Sequence, residues 1–159
     1  MVKVKCIFRQ MKLGDINQVI DINMKFLPEN YYKEFWLTTF DKGKDYSFVA
    51  LISGEIIGYI LCDGTSIISL AVDSKYRSQG IGNNLINHCL KSISNGTNIF
   101  LYCRKENTKA FAIYIRVGFE IAEEIPSYYI NPPDDAYKMV LVNDKSKTNN
   151  ANKKILISI

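Results

Sequence analysis

The chain has 159 residues and a mass of 18.2 kDa, enough for one domain with one substantial core. Its composition, 47% apolar, 23% charged and 12% aromatic, is that of an ordinary globular protein. No apolar run approaches the roughly 20 residues of a membrane span, and the alternating start MVKVKCIFRQ lacks the continuous apolar core of a secretory signal. The net charge of +4 does not describe a nucleic-acid surface, because the segment 143–154, NDKSKTNNANKK, holds four lysines against one aspartate and leaves the body near neutral.

Residues 2–9 alternate as a strand. Gly14-Asp15 opens a helix that Asp15 is suited to cap, with Ile16, Val19, Ile20 and Asn23–Met24 on one face. Pro28 ends it, and Tyr31, Tyr32, Phe35, Trp36 and Phe40 mark a short second helix rich in aromatics. YSFVALIS, Ser53-Gly54 and EIIGYILC read as a hairpin, and Asp63-Gly64 turns into TSIISLAVD, so three strands form an antiparallel meander.

The stretch YRSQGIG at 76–82 follows, then a helix over 81–94 with Ile81, Leu85, Ile86, Cys89, Leu90 and Ile93 at helical spacing, stopped by Asn95-Gly96. NIFLYCR at 98–104 reads as a strand covered on both faces. Asn107 caps a helix through Val117 whose buried face carries Ala110, Phe111, Tyr114 and Ile115. A strand FEIAEEI, a loop through Pro126, Tyr128, Tyr129, Pro132 and Pro133, and a last strand AYKMVLV complete the domain. The predicted order is β-α-α-β-β-β-α-β-α-β-β, an α/β layered sheet with its one parallel crossover between 65 and 104. The domain spans 1–142, followed by a polar basic tail over 143–159 whose last residues, ILISI, are apolar enough to dock on a sheet edge or another subunit.

Cys6, Cys62, Cys89 and Cys103 lie in apolar strand or helix patterns without a CxxC pair, which reads as buried free thiols in a reducing cytoplasm. The single histidine, His88, falls at the edge of a helix's buried face. With no second histidine, no HExxH and no cysteine cluster, no metal site is expected.

A strand ending at Asp73, then Arg77-x-x-Gly80-x-Gly82, then a helix, suits an anion. Helix-start N–H groups point outward with the positive end of the macrodipole, the glycines admit a bulky pyrophosphate, and Arg77 adds charge-assisted bonds. A GxxxxGK[ST] loop is absent, and Gly80-Ile81-Gly82-Asn83-Asn84-Leu85 lacks the third glycine of a dinucleotide fingerprint. Taken alone, the turn fits an anion seat or a helix-starting loop that needed glycine. Asn107, Ala110 and Tyr114 fall on the next strand-to-helix unit, with Asn107 and Tyr114 on one helical face.

This combination resembles the GCN5-related N-acetyltransferase superfamily. LPENYYKEFW at 27–36 and SYYINPPDDAYKMVL at 127–141 are similar to the substrate loop and closing Tyr-Tyr loop of archaeal protein N-terminal acetyltransferases. The matches span about residues 5–142. The resemblance implies a single-domain fold with a central mixed, mostly antiparallel sheet, a parallel pair between the fourth and fifth strands, and flanking helices. It implies acetyl-CoA as cofactor, with protein or peptide N-termini as acceptors of the acetyl group.

The same resemblance distributes roles. Arg77, Ser78, Gln79, Gly80, Ile81 and Gly82 would hold the pyrophosphate. Backbone groups of Leu70, Ala71 and Val72, freed where SIISLAV splays from IFLYCR, would pair with pantetheine amides and polarise the thioester. Asn107 and Tyr114 would flank pantetheine and thiol, with Tyr114 protonating or hydrogen-bonding the departing thiolate. Leu27, Pro28, Glu29, Asn30, Tyr31, Tyr128 and Tyr129 would form the peptide groove, with Glu29 as base or amine-orienting group.

Two positions depart from the relatives' pattern. Tyr102 stands where Glu or His is common, and Ser66 where some relatives carry Tyr or His. Tyr102 is suited to orient a water but is a poor base. Other readings are a lysine or small-amine acetyltransferase of the same fold, or a weakly catalytic CoA- or peptide-binding auxiliary module. Ribosome or auxiliary-subunit association is compatible with the basic tail. Neither a membrane nor a specific nucleic acid is an expected partner.

Overall fold

In a computed structural model the described residues are 5–144. Their elements, in chain order, are β1 (Cys6–Gln10), α1 (Ile16–Phe26), α2 (Lys33–Gly43), β2 (Phe48–Ile52), β3 (Glu55–Cys62), β4 (Ile67–Val72), α3 (Ile81–Ser92), β5 (Asn98–Arg104), α4 (Thr108–Val117), β6 (Glu120–Ile130) and β7 (Pro133–Val142). Short 3-10 turns cover Leu13–Asp15 and Ser74–Tyr76. The order is the predicted one.

The strands form two antiparallel sheets, β1-β2-β3-β4 and β5-β7-β6. They meet at one parallel bridge between Ser66 and Phe100, beside the bond from Phe100 N–H to the Thr65 carbonyl (2.9 Å). The parallel β4–β5 pairing is therefore a single contact, beyond which the strands part.

Apolar residues alternate across the first sheet and feed a separate core on each face. Phe48, Ala50, Ile57 and Ile60 pack with Leu85, Ile86 and Cys89 of α3. Val49, Ile56, Tyr59 and Leu61 pack with Ile16 and Val19 of α1 and Trp36 and Phe40 of α2. A bulge shifts this alternation by one residue. Ala50 opposes Gly58 while Leu51 opposes Ile56, so Ile57 is the extra residue and Tyr59 returns to the α1–α2 face.

Several expectations change. Asp15 makes no cap bond to α1. Its buried carboxylate instead accepts two bonds from Arg9 (2.7 and 3.0 Å) and one from the Lys12 N–H (2.8 Å). Ile22 takes the buried place given to Met24, which is exposed. β5 is buried on one face only, at Ile99, Leu101 and Cys103, while Tyr102 stands 43% exposed. The predicted loop at 126–133 is mostly strand: β6 and β7 form one long hairpin with a register break between Ile125 and Tyr129, where Ser127 has φ 53°. Prolines and tyrosines suggested a loop because the bulge residue, not a turn, absorbs the irregularity.

The cysteines are free thiols, three of them buried. His88 stacks on Phe8 (5.3 Å) and tilts against Phe48 (5.5 Å), at the border of the core. Asn143 is buried and donates to the Ser94 carbonyl (3.2 Å), tying the end of β7 to the α3–β5 loop. The ILISI segment lies outside the described residues.

Burial by itself would raise the Asp15 carboxyl, but the Arg9 guanidinium and the Lys12 N–H outweigh it and hold it below the ordinary carboxylate value. A depressed folded-state pKa gives stability that is present above pH about 4 and is lost as pH falls through the folded value. Asp15→Asn should therefore lower the urea midpoint near pH 7, and the two proteins' midpoints should converge toward pH 3. A constant gap across that range would contradict the assignment.

Candidate active site

Where β4 and β5 part, two cavities open side by side. The larger, about 700 Å³, runs from Leu70–Val72 past the start of α3 to α4. Arg77, Lys109 and Arg116 line it and no carboxylate does, which fits a polyanion. Gly80 caps α3 in the left-handed region (φ 77°), where only glycine is unstrained. The Asn84 amide and backbone N–H both donate to the Gly80 carbonyl (2.9 and 3.0 Å) and fasten the turn. A Cβ on Gly82 would meet only Val72 Cγ2, at 3.9 Å, so the approach to the first-turn N–H groups stays open.

Arg77 is held from behind. Its Nε donates to the Val72 carbonyl (2.9 Å) and its guanidinium lies 5.3 Å from the Phe26 ring centre. Ser78, Gly80, Ile81 and Gly82 line the cavity with it, whereas exposed Gln79 does not. The three β4 residues also divide. In the β3–β4 ladder Ala71 opposes Tyr59, and the Asp73 N–H bonds the Ile57 carbonyl (2.8 Å) two residues further on. Antiparallel pairing alternates, so Ala71 spends its backbone groups on β3 while those of Leu70 and Val72 face the gap. Ala71 is thus removed from the expected set of free backbone groups, and the Val72 carbonyl is already taken by Arg77.

The smaller cavity, about 320 Å³, is walled by Leu27, Pro28, Glu29, Tyr31, Tyr102, Tyr128 and Tyr129. Ser66 also lines it, while Asn30 turns back toward the Pro28 carbonyl (3.4 Å). Tyr102 stacks on Tyr128 with ring centres 4.9 Å apart and planes 2° apart, and Tyr129 stands edge-on to Tyr128. The two cavities share Leu27, Leu70, Asn107, Ala110 and Tyr114. Asn107 Oδ1 accepts the Ala110 N–H (3.2 Å) as the α4 cap, and Tyr114 packs edge-on against Phe119 (5.8 Å).

One residue absent from the sequence reading ties the groove together. Arg104, at the end of β5, donates through Nε to Glu29 Oε1 (2.5 Å) and through Nη1 to the Pro132 carbonyl (2.7 Å). Its guanidinium also lies 4.1 Å from the Tyr129 ring centre. It joins the loop after α1 to the β6–β7 hairpin. Its signal in the sequence was a cation ending an apolar strand, which by itself reads as a surface charge.

Burial, then the charge on Glu29, pushes the Tyr31 and Tyr129 phenols above their ordinary value. Burial, then Cys103, does the same to Tyr114, strongly. The Cys103 thiol is pushed up to about 11, chiefly by burial, and so stays protonated. No cluster of three or more His, Cys, Asp or Glu suited to a metal ion occurs among the described residues.

Residues 16–119 match the model of the Acetyltransferase (GNAT) family. The chain belongs to that family. As a GNAT protein it is 31% identical over 150 residues to an N-alpha-acetyltransferase of Sulfurisphaera tokodaii, covering 82% of this chain and 89% of the relative. Its fold is similar to that of Arabidopsis thaliana Naa50, solved with the bisubstrate analogue CoA-Ac-MVNAL, at TM-score 0.78 and 28% identity over 87% of this chain and 99% of the other. It is also similar to Ard1 from Thermoplasma volcanium, at TM-score 0.76 and 25% identity over 86% and 97%. In this GNAT domain the splayed strands and the glycine turn of the larger cavity lie inside the matched range, and the β6–β7 hairpin lies beyond it.

Arg104→Leu strips Glu29 of its cation and the hairpin tip of its anchor. Amide exchange should quicken at Glu29–Tyr31 and Ser127–Asn131, and stability should fall by about 1–3 kcal/mol. Unchanged exchange in both segments would show that Arg104 does not join them.

Proposed function

We infer that this protein is an acetyl-CoA-dependent N-alpha-acetyltransferase acting on the free α-amine of protein or peptide N-termini. The observation that carries the reading is the pair of cavities meeting at Tyr114, one lined by cations and helix-start N–H groups, the other by Glu29 and tyrosines. The first suits the phosphates and pantetheine of acetyl-CoA, and the second suits an amine followed by a short length of peptide. The names of the relatives in S. tokodaii and A. thaliana support the α-amine as acceptor.

Acetyl-CoA supplies an activated acetyl thioester. Arg77, Ser78, Gly80, Ile81 and Gly82 bind its pyrophosphate, with Gln79 contributing at most from the rim. The Leu70 and Val72 N–H groups, facing the gap, are the donors available to a pantetheine carbonyl or the thioester oxygen. Glu29 orients the substrate amine by its carboxylate, one oxygen of which is held by Arg104. A peptide α-amine titrates near 8 and is partly neutral at physiological pH without a strong base, and the proton it sheds on acylation can leave to solvent through water reached from Ser66 and the Tyr102 hydroxyl. Tyr102 and Tyr128 form a flat wall, and Leu27, Pro28, Tyr31 and Tyr129 complete the pocket for the first residues. Tyr114 donates a hydrogen bond to the departing thiolate.

Four cysteines read as free thiols suit a reducing compartment such as the cytoplasm. The basic segment after Val142 fits contact with ribosomes or an auxiliary subunit near emerging N-termini.

Incubation with acetyl-CoA and short peptides tests the reading. Free N-termini should be acetylated, while the same peptides blocked at the N-terminus but carrying lysine should be inert. Equal turnover on blocked peptides would reassign the protein to lysine or small amines. CoA binding without transfer to any amine would make it a binding module. Arg77→Ala should weaken CoA binding about tenfold by calorimetry and leave the order of preferred peptides unchanged. A reordering of preferences would show that the two cavities do not divide the work in this way.

A further inference from the structure

Beneath the smaller cavity lies a polar chain enclosed in the α1–α2 core. Asn23 of α1 and Tyr59 of β3 are both fully buried. Asn23 Nδ2 donates to the Glu29 carbonyl (2.9 Å) and to the Tyr59 hydroxyl (3.1 Å). The Tyr59 oxygen is 2.7 Å from Ser69 Oγ, and Ser69, on β4, lines the smaller cavity.

The orientation of Asn23 follows from its partner at Glu29. The Glu29 carbonyl can only accept, so Asn23 must present its NH₂ to it and the adjoining amide hydrogen to Tyr59. Tyr59 therefore accepts from Asn23 and shares one further hydrogen bond with Ser69 Oγ. The set is costly for a core. Asn23 Oδ1 is buried without a hydrogen-bond partner, as is Trp36 Nε1 of the same core, where a leucine in place of Asn23 would carry no polar cost. What the amide secures is the backbone at Glu29, whose carboxylate is held by Arg104. Glu29 is thus fixed at both its carbonyl and its side chain.

We propose that Asn23 is a positioning residue for the amine-binding loop, oriented by the Tyr59–Ser69 pair and acting through the placement of Glu29. This rests on the α-amine reading above, and it makes the core under the cavity part of the acceptor site. The acetyl-CoA cavity, on the far side of Leu70, is not set by it.

The test uses the full chain, with Tyr59→Phe, Asn23→Leu, Glu29→Gln and the double variants Tyr59→Phe/Glu29→Gln and Asn23→Leu/Glu29→Gln. Steady-state kinetics are run with a free-amine peptide and acetyl-CoA, and CoA calorimetry checks that each variant is folded. Tyr59→Phe and Asn23→Leu should each raise the peptide KM about fivefold, as expected for one buried hydrogen bond. The acetyl-CoA KM and the CoA affinity should stay within about twofold. In the Glu29→Gln background the peptide effect should largely vanish, because the residues act through one another. Equal losses toward both substrates, or an undiminished peptide effect in the Glu29→Gln background, would overturn the proposal.

If Asn23→Leu does not fold, Tyr59→Phe carries the same test by removing a single oxygen. If wild-type protein acetylates no free-amine peptide, the α-amine reading fails, and the inference is then decided by amide exchange in Tyr59→Phe. Faster exchange confined to Leu27–Tyr31 supports it, and unchanged or uniformly faster exchange overturns it.

Discussion

The site depends on two parallel strands that pair once and then separate. At Ser66 and Phe100 the sheets are joined, and from Ile67 and Leu101 onward they are not. A complete β4–β5 ladder would have consumed the outward backbone groups of Leu70 and Val72. Their availability costs the protein a row of sheet bonds, and a fold tolerates that only if something replaces them. Part of the replacement is internal, since Arg77 Nε takes the Val72 carbonyl. The rest is left for a ligand with amide groups of its own. The same separation lets α3 and α4 begin beside one another, which gathers Arg77, just ahead of α3, and Lys109 and Arg116 of α4 into one cavity.

The acceptor side is built differently. Nothing in the sheets closes it; a loop, a hairpin and one arginine do. Arg104 stands at the last position of β5, where the strand emerges from the core with its side chain only 11% exposed. A guanidinium so placed needs acceptors, and it finds one on Glu29 and others at the hairpin tip. Glu29 in turn is held below by Asn23. The groove is therefore rigid at the carboxylate and walled by aromatic rings. On the proposed reading, discrimination among N-termini depends on the shape left between Leu27, Tyr31 and the Tyr102–Tyr128 stack.

Most of the fold was legible because its signals are local. Helical spacing at Ile81–Ile93, the Ser53-Gly54 turn and the Asn107 cap each follow from a few neighbouring residues, and the glycine turn, open to two readings alone, reads as an anion seat once Asn107 and Tyr114 are set beside it. What escaped was set by partners distant in the chain. Asp15 reads as a helix cap until Arg9 claims its carboxylate. Phe100 and Tyr102 read as buried until the strands part and leave their face open. Arg104 reads as a surface charge until residues 29, 129, 131 and 132 are brought to it. Residues 127–131 read as a loop because the β6 bulge has no sequence signature beyond Ser127. The bulge at Ile57, which decides that Tyr59 faces Asn23 rather than α3, is equally invisible in an unbroken apolar run.

Burial of Tyr114 bears on how the leaving group is handled. A phenol near 10 facing a thiol near 8.5 is already the weaker acid, and burial raises the Tyr114 phenol further. Proton transfer from tyrosine to the departing thiolate is then uphill by more than the ordinary difference, while the hydrogen bond from the neutral hydroxyl remains available at every physiological pH. In the proposed reaction Tyr114 is accordingly suited to stabilise developing charge by a hydrogen bond rather than to give up its proton. The Cys103 thiol beside it, also raised by burial, cannot compete as a nucleophile. On the proposed reading, with both neighbours held neutral, the group left to titrate near neutral pH is the substrate amine. A site arranged in this way needs orientation more than basicity, which is what the double hold on Glu29 provides.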